Sequence, residues 1–562
     1  MGNKKIAYFS AEAGLESEMP TYAGGLGILT GDFLKACADL GLPLVGVTLL
    51  YEKGNFRQSI KEDGSQTYEE IIWHPEDYMH LMENKVEVQI HGQPIKLNAW
   101  QYNVSGLKGV VPLYFLGSDN NTNEGWARDI TSRVYWGDIF NRIYQNIALG
   151  VGGVRLLDQL RVDVSKYHLN EGHSAFLILE LMKQGKPLEE IKELCTTTTH
   201  TPVDAGIDKF DYDKLNTIFR DSLFKEYLPA NIKKLAGDDR LNMMLFVLNC
   251  SGYANAVSKR HAETASNLFE RKIEPITNGV HSATWTSYSF QKLYDEYCSG
   301  WRGDAKLLFN AKNIPNNKIW DAHMTEKNKF IDYVNNTAGI GMKPEILTIG
   351  FARRSALWKR ADLFFYDINE LIRIGKGKLQ FVLAGKAHPA DECAKELLKW
   401  IYNSTKNISN EIKCVYLEDY DMNKAKTLVS GCDVWLSTPL PPLAACETSG
   451  MKASHNGVPN FSTRDGWWWE VGENGQSEDV TGWNIGNGAG CTNINSAEAE
   501  KIKAEDAKSL YEKLETKIIP LYYNQRDKFI GVMKNAISVN ASFFNAHRMV
   551  EEYVEKAYKR RA

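Results

Sequence analysis

The stretch GGLGILTGDFLKACADLG, residues 24–41, decides the fold of the first half of the chain. Its apolar residues recur at helical spacing, and Gly41 is placed to end the helix. The apolar runs KIAYFS (5–10) before it and LPLVGVTLLY (42–51) after it predict strands. Strand, glycine-rich turn, helix and strand in this order are typical of a parallel α/β unit.

Length and composition define the class of protein. At 562 residues the chain is too long for one core, and 43% apolar with 24% charged residues is typical of a soluble globular protein. Lysine and arginine total 66 against 70 acidic residues, so no broad basic field exists for nucleic acid or a membrane surface. The nine cysteines lack paired metal-type spacing, and the start MGNKKIAYFS lacks an apolar signal region. We therefore expect a cytoplasmic protein that binds neither nucleic acid nor membrane.

The rest of the first half continues the α/β pattern. The runs KVEVQIH (85–91), KLNAWQYNV (96–104) and VVPLYFLG (110–117) predict short strands, and the stretch 134–160 predicts a long helix. The segment KYHLNEGHSAFLILELM (166–182) repeats the order of strand into helix.

A second α/β pattern begins after a polar, glycine-containing segment at 330–343, which predicts a linker. Helix-length segments such as 361–375 and 389–403 separate apolar runs of strand length, namely EILTIGFA, LQFVLAG, IKCVYLED and CDVWLS. The stretch 533–560 has a long amphipathic helical pattern.

The predicted fold is therefore α/β, with two doubly wound, Rossmann-like domains facing a central cleft. We expect the first domain over 1–335, the second over 336–532, and a C-terminal helix over 533–562 that packs back toward the first domain. Ligands of such sheets bind beyond the carboxyl ends of the strands, so the residues just after each strand are the candidates for a site.

Two stretches are candidates for binding an anion. After the strand ILTIGFA come four cations: Arg353, Arg354, Lys359 and Arg360. Cations at a helix start oppose the helix dipole unless a phosphate lies between them, although the spacing also fits a solvated basic turn. The glycines Gly24, Gly25 and Gly27 open the first helix and either offer amides to an anion or form only a tight turn.

The stretch CETSGMKASHNG, residues 446–457, places Lys452 among small residues. A lysine that binds an aldehyde cofactor must be desolvated so that its neutral amine is available. Thr448, Ser449 and Gly450 could offer donors to the phosphate of such a cofactor. The alternative is an ordinary helix lysine whose ammonium reaches solvent.

Polar residues follow several predicted strands. His168, His173, His200 and His281 match no zinc spacing, so we expect no metal. Together with Asn170, Glu171 and Asn278 they could hydrogen-bond a polyhydroxy ligand, or they could be satisfied core residues. The run Trp467 to Trp469 fits either a core or a platform on which sugars stack.

Taken in order, these stretches resemble the α-glucan phosphorylase family, the glycogen, starch and maltodextrin phosphorylases that use pyridoxal phosphate. The resemblance covers most of the chain. The motifs that carry it are YFSAEAGLESEMPTYAGGLGILTGDFLK, HLNEGHSAF, THTPVDAGIDKF, ITNGVHSATW, GFARRSALWKRA, FVLAGKAHP and TSGMKA.

The resemblance implies the GT-B architecture and a phosphorolytic reaction. Inorganic phosphate would cleave the terminal α-1,4 bond of a glucan or maltooligosaccharide and give glucose 1-phosphate with retained configuration. By motif, Lys452 would form the Schiff base, with Thr448, Ser449, Gly450 and Arg353 near the cofactor phosphate. The substrate phosphate would be held by Arg354, Lys359 and the loop of Gly24 and Gly25. The glucosyl site would be lined by Leu26, His200 and Asn278, with Glu171 and His173 behind them. A homo-oligomer is the habit of the family.

The chain departs from the family pattern in two ways. Its first predicted strand starts near residue 5, so a short form without N-terminal regulatory sites is expected. The family reads Glu-Ala-Ser-Gly-Thr before its lysine, whereas this chain has Ala444 in place of the glutamate and Glu447 in place of the glycine. The carboxylate of Glu447 either reaches the same sugar or pairs with Arg353. The alternatives to an active α-glucan phosphorylase are a phosphorylase of altered sugar specificity, a nucleotide-sugar glycosyltransferase of the same fold and a weakened glucan-binding protein.

Overall fold

The computed structural model of the protein describes residues 4–219 and 232–559. Nineteen strands in these residues form two large sheets and two small two-stranded sheets. In chain order, strands β1 to β19 are Lys5–Phe9, Leu44–Leu49, Arg57–Ile60, Gln66–Glu69, His80–Ile90, Gln93–Ser105, Val110–Gly117, Val164–Asn170, Cys195–Thr199, Lys209–Asp211, Arg240–Asn242, Tyr253–Ala256, Glu274–Pro275, Leu347–Ala352, Leu379–Ala384, Lys413–Leu417, Val434–Ser437, Asn460–Thr463 and Gly482–Ile485.

The first large sheet has the strand order β13-β12-β9-β8-β1-β2-β7-β6-β5. Its strands run parallel except at β6, which pairs antiparallel with both β5 and β7. Strand β1 lies at the centre of the sheet, between β2 and β8. The strands of this sheet up to β7 extend it on the β2 side, and its strands from β8 onward extend it on the other side, so the strand order reverses at β1. A ligand site is expected at such a switch point.

The second large sheet contains six parallel strands in the order β16-β15-β14-β17-β18-β19. Numbered within the sheet, this order is 3-2-1-4-5-6, and its switch point lies between β14 and β17. The α/β fold predicted from the sequence is confirmed, and the four apolar runs predicted as strands in this half are β14 to β17.

The α-helices cover the faces of these sheets. Within the described residues they are Gly25–Leu40, Gly125–Arg128, Ile139–Ile147, Gly153–Gln159, Phe176–Lys183, Leu188–Leu194, Tyr212–Ile218, Ile232–Ala236, Met243–Asn249, Lys259–Leu268, Ser282–Trp285, Tyr288–Tyr297, Asn316–Ala338, Ile368–Gly375, Glu392–Ile408, Met422–Gly431, Ser449–Ser454, Gly466–Glu473, Ala497–Lys513, Ile519–Asn524, Arg526–Asn535 and Ala546–Tyr553. None of these helices is long and apolar enough to cross a membrane.

The helix Gly25–Leu40 forms where the sequence predicts it. Gly41 ends it in the left-handed conformation, with φ of 68°, and its N–H donates to the carbonyl of Ala38. Gly31 brings the helix against the preceding loop, since a Cβ at this position would lie 1.9 Å from the carbonyl oxygen of Gly14. The glycine-rich turn is therefore held close to the carboxyl end of β1.

Two predictions are wrong, one of a linker over 330–343 and one of a continuous helix over 533–560. Residues 330–338 of the predicted linker belong to the helix Asn316–Ala338, because Phe330, Ile331 and Val334 form an apolar face that is buried. The predicted helix over 533–560 is interrupted at Phe544 and Asn545, while residues 560–562 lie outside the described part of the chain. After the interruption, the side chain of Asn545 caps the following helix by accepting from the backbone N–H of Arg548.

The final helical segment packs on the first large sheet. Tyr553 forms hydrogen bonds with Thr198 and Asn255, and the hydroxyl of Tyr558 lies 2.6 Å from Nδ1 of His168. The guanidinium of Arg548 donates to the carbonyls of Thr277 and Asn278. These contacts fix the segment that follows β13, and with it one wall of the cavity described next.

Candidate active site

A cavity of about 700 Å³ is lined by segments that follow strands of both large sheets. From the first sheet come the segments after β1, β9 and β13, and from the second those after β14, β15, β16 and β17. Ten of the residues predicted for the site line it: Gly24, Gly25, Leu26, His200, Asn278, Arg353, Arg354, Lys359, Glu447 and Lys452. Thr448 and Ser449 line it as well.

Lys452 lies in the wall of the cavity, in the short helix Ser449–Ser454. Its residue is 8% exposed, and its Nζ lies 3.8 Å from the ring centroid of Trp285. In the described part of the chain this amine forms no hydrogen bond and no ion pair. Burial lowers the pKa of Lys452 to about 8, against an opposing effect of the Asp32 carboxylate. The amine is therefore available as a nucleophile near neutral pH, which a surface lysine is not.

The residues before Lys452 have different environments. The hydroxyl of Ser449 accepts from Nε1 of Trp435 and lies 3.5 Å from Nη2 of Arg353. Gly450 does not line the cavity; a Cβ there would lie 2.1 Å from the side-chain oxygen of Asn460 in β18. Its smallness therefore serves the packing of the short helix on the sheet.

Arg353 is buried and lines the cavity. Its Nη2 donates to the hydroxyl of Ser437 at the end of β17, and its Nη1 has no hydrogen-bond partner among the described residues. A buried guanidinium with a free donor beside a cavity is suited to an anionic ligand.

The other cations of the cluster separate into two groups. Arg354 and Lys359 line the cavity, and burial lowers the pKa of Lys359 to about 7. Arg360 does not line the cavity. Its guanidinium donates to the carbonyls of Thr438 and Pro439 and to the carboxylate of Asp506. Its inclusion in the predicted anion cluster is wrong, because this side chain anchors the loop to the body of the second sheet.

Glu447 pairs with the cation cluster. Its carboxylate contacts the guanidinium of Arg353 and lies 3.8 Å from Nζ of Lys359. Ala444, where the family has glutamate, is fully buried, and its backbone N–H donates to the carboxylate of Asp465. The sequence left two possible partners for Glu447, a sugar or Arg353, and the structure contains the ion pair with Arg353.

The glycine loop forms the opposite wall. The carboxylate of Glu12 accepts from the backbone N–H groups of Ala23 and Gly24, which fixes the loop in front of the first helix. A Cβ added to Gly24 or to Gly25 would meet no atom within 4 Å, so both face open space. Gly27 instead packs on Tyr22, where a Cβ would lie 2.5 Å from that side chain.

His200 lines the cavity, and hydrogen bonds to two neighbouring residues fix its position. Its Nε2 lies 2.6 Å from the side-chain oxygen of Asn170, and its backbone N–H donates to the carboxylate of Glu171. Burial lowers the pKa of His200 to about 3, so the imidazole is neutral. Glu171 and His173 do not line the cavity, which places them behind the wall. Asn278 does line it, and its buried side-chain oxygen has no partner in the described residues.

Other polar and aromatic candidates belong to the core. His168 is hydrogen-bonded to Thr198 and Tyr558, and Trp467 and Trp468 are buried away from the cavity. His281 and His547 both lie within hydrogen-bond distance of the same carboxylate oxygen of Asp39. This trio is the one group in the described part of the chain whose ligand atoms are close enough to hold a metal ion.

Several residues of the site were not predicted. Trp285 forms a wall beside Lys452, and Asp32 holds Trp285 by accepting from its indole N–H at 2.9 Å. Ser437 and Asp465 fix Arg353 and the loop of Ala444, respectively. Position after a strand was a usable signal for Ser437 and Asp465, whereas Asp32 lies within a helix and only tertiary packing brings it to the site.

Comparison with known proteins gives a consistent result. A family model described as carbohydrate phosphorylase matches residues 9–105 and 232–561. A maltodextrin phosphorylase of Thermococcus litoralis is 38% identical over 99% of this chain and 70% of its own length. A glycogen phosphorylase of Aquifex aeolicus is 35% identical over 99% of this chain and 86% of its own length.

A third relative, an uncharacterized protein of Methanocaldococcus jannaschii, is 29% identical over 99% of this chain and 100% of its own length. The two large sheets, the second parallel and the first parallel except at β6, fit the GT-B architecture that the sequence motifs imply. With a family model that matches most of the chain and relatives above 30% identity along nearly all of it, the protein belongs to the carbohydrate phosphorylase family.

Proposed function

We propose that the protein is an α-glucan phosphorylase that uses pyridoxal phosphate. It would release glucose 1-phosphate from the non-reducing end of α-1,4-glucans or maltooligosaccharides, with retention of configuration and with inorganic phosphate as co-substrate. The observation that carries the proposal is a buried lysine amine, unpaired within residues 4–219 and 232–559, that lies in one cavity with several cations. A nucleotide-sugar glycosyltransferase of the same fold would not need this lysine.

The residues fit pyridoxal phosphate. An aldehyde needs a desolvated amine, which Lys452 provides, and a phosphate needs donors that are not already satisfied. The free Nη1 of Arg353 is such a donor, and the hydroxyls of Thr448 and Ser449 lie on the same wall. When bound, the cofactor would supply a second phosphate group that can exchange a proton with the substrate phosphate.

The remaining residues would hold the substrates. Arg354 and Lys359 offer charge to inorganic phosphate, and Gly25, at the start of the first helix, lines the cavity from the other side with no atom against the position of a Cβ. Two phosphates side by side repel strongly in a cavity of low dielectric constant, so their charge must be offset by cations. His200, neutral and fixed by Asn170, and the free oxygen of Asn278 are suited to sugar hydroxyls.

One observation favours a second candidate, a phosphorylase of altered sugar specificity. Ala444 provides no carboxylate, and the carboxylate of Glu447 is engaged by Arg353. A sugar hydroxyl that donates to this carboxylate in the family would therefore lack that acceptor at this loop. Comparing glucose 1-phosphate with other hexose 1-phosphates as donors to maltooligosaccharides tests both candidates. Phosphate release from glucose 1-phosphate alone supports the first candidate, release from another hexose 1-phosphate supports the second, and release from none contradicts both.

The low pKa of Lys359 predicts a pH dependence of anion binding. A phosphate-like anion binds the protonated amine, so its affinity should fall as the pH rises from about 6 to about 8 through the pKa of Lys359. Sulfate is a suitable probe because its own charge does not change over this range. Titrating sulfate binding to the wild type and to Lys359→Arg, which stays charged, measures the effect. Equal slopes against pH in the two proteins would contradict it.

We also propose a cytoplasmic location and a homo-oligomeric state. All nine cysteines are free thiols in the structure, which suits a reducing compartment. The oligomeric state follows from the resemblance to the family, and light scattering of the purified protein would measure it.

A further inference from the structure

The backbone at Glu447 is in a conformation that favours glycine. Its φ of 70° lies in the left-handed region, where a Cβ is disfavoured. Its side chain is 8% exposed, although a glutamate is seldom buried unless it is paired. A buried carboxylate on a disfavoured backbone persists only where surrounding contacts hold it.

The contacts that hold it are two of the cations proposed for the phosphates. Its Oε2 contacts Arg353, and its Oε1 lies 3.8 Å from Nζ of Lys359. Arg354, the third cation, forms no ion pair in the described part of the chain. A single carboxylate of the chain itself thus already faces two of the three cations that would hold phosphate.

The carboxylate and a phosphate cannot share these cations at full strength. Both are anions in a buried cavity, where like charges repel strongly and an unpaired cation is costly. Without phosphate, Glu447 relieves that cost by pairing the buried Arg353. When phosphate binds, the negative charge of Glu447 lies beside it and weakens its binding.

We propose that Glu447 is an internal anion that occupies Arg353 and Lys359 until phosphate groups displace it, the cofactor phosphate at Arg353 and inorganic phosphate at Lys359, and so sets the affinity of the enzyme for inorganic phosphate. This inference rests on the proposed function for the identity of the anion. A role in binding sugar is less favoured, because each carboxylate oxygen already faces a cation: Oε2 contacts Arg353, and Oε1 lies 3.8 Å from Nζ of Lys359.

The test is direct binding of inorganic phosphate to the cofactor-loaded protein, by calorimetry, for the wild type, Glu447→Gln and Glu447→Gly. Removing the competing charge should tighten phosphate binding by about tenfold or more in both variants. Glu473→Gln is the matched control, since Glu473 is half exposed, pairs with Lys259 and does not line the cavity. It should leave phosphate binding unchanged.

Thermal unfolding gives a second readout that does not depend on activity. Without phosphate, Glu447→Gly should unfold at a lower temperature than the wild type because Arg353 loses its partner, although glycine suits the backbone there. Saturating phosphate should raise the unfolding temperature of the variant more than that of the wild type.

Two results would overturn the inference. One is phosphate binding that is equal or weaker in both variants. The other is a higher Michaelis constant for maltooligosaccharide with unchanged phosphate affinity, which would assign the carboxylate to the sugar. If the protein proved to have no phosphorylase activity but bound phosphate more tightly in the variants, the proposed function would fail and the role of Glu447 as an internal anion would stand.

Discussion

Replacing Lys452 with arginine should remove pyridoxal absorbance from the purified protein and lower phosphorolysis by at least about a thousandfold. Arginine keeps the positive charge and most of the volume, but its guanidinium does not bond covalently to an aldehyde. The cavity wall formed with Trp285 should survive, so the loss would report the chemistry of the amine and not the loss of the fold.

Borohydride reduction of the wild type followed by peptide mapping locates the attachment residue. We expect the label on Lys452 and none in Lys452→Arg. Lys426→Arg is the control, because Lys426 lies in the helix Met422–Gly431 and does not line the cavity. A label on another lysine, or full activity of Lys452→Arg, would contradict the assignment.

The second large effect is expected at the phosphate cations. Lys359→Ala removes a charge-assisted contact of about 1.5 to 3 kcal/mol and should raise the phosphate requirement about ten- to a hundredfold. Arg354→Ala should act in the same direction and nearer the lower limit, because Arg354 is exposed and solvent screens its charge. Steady-state kinetics at varied phosphate and fixed maltooligosaccharide measure both effects.

Arg373→Ala provides the control for a general loss of positive charge. Arg373 is exposed, pairs with Glu370 and Glu515, and does not line the cavity. It should leave the phosphate requirement unchanged. If Arg354→Ala and Lys359→Ala both behave like this control, the cluster is a surface turn without a role in phosphate binding.

The fold was predictable where the pattern was local. The helix Gly25–Leu40 and four of the six strands of the second sheet, β14 to β17, follow from apolar spacing and glycine placement. The break at Phe544 and Asn545 was not predictable, since its cause is long-range: the N–H of Ala546 donates to the carbonyl of Val280. Local spacing along 533–560 contains no trace of that contact, and an amphipathic pattern alone predicts one continuous helix.

Residues of the site that follow predicted strands were predictable, because the carboxyl ends of the strands meet at one cavity. Arg353, Lys452 and His200 follow predicted strands, and the structure brings them to one cavity. The sequence could not show that Arg360 turns to Asp506, a partner 146 positions away along the chain, instead of to the cavity. It left the partner of Glu447 open for the same reason, since the ion pair with Arg353 depends on the packing of two loops.

The measurement that tests the central claim most directly is the phosphate dependence of maltooligosaccharide shortening by the cofactor-loaded protein. The account predicts that chains shorten by single glucose units only when inorganic phosphate is present, with glucose 1-phosphate of the α configuration as the product. Release of free glucose without phosphate, or no shortening in saturating phosphate by a protein that carries the cofactor on Lys452, would contradict it.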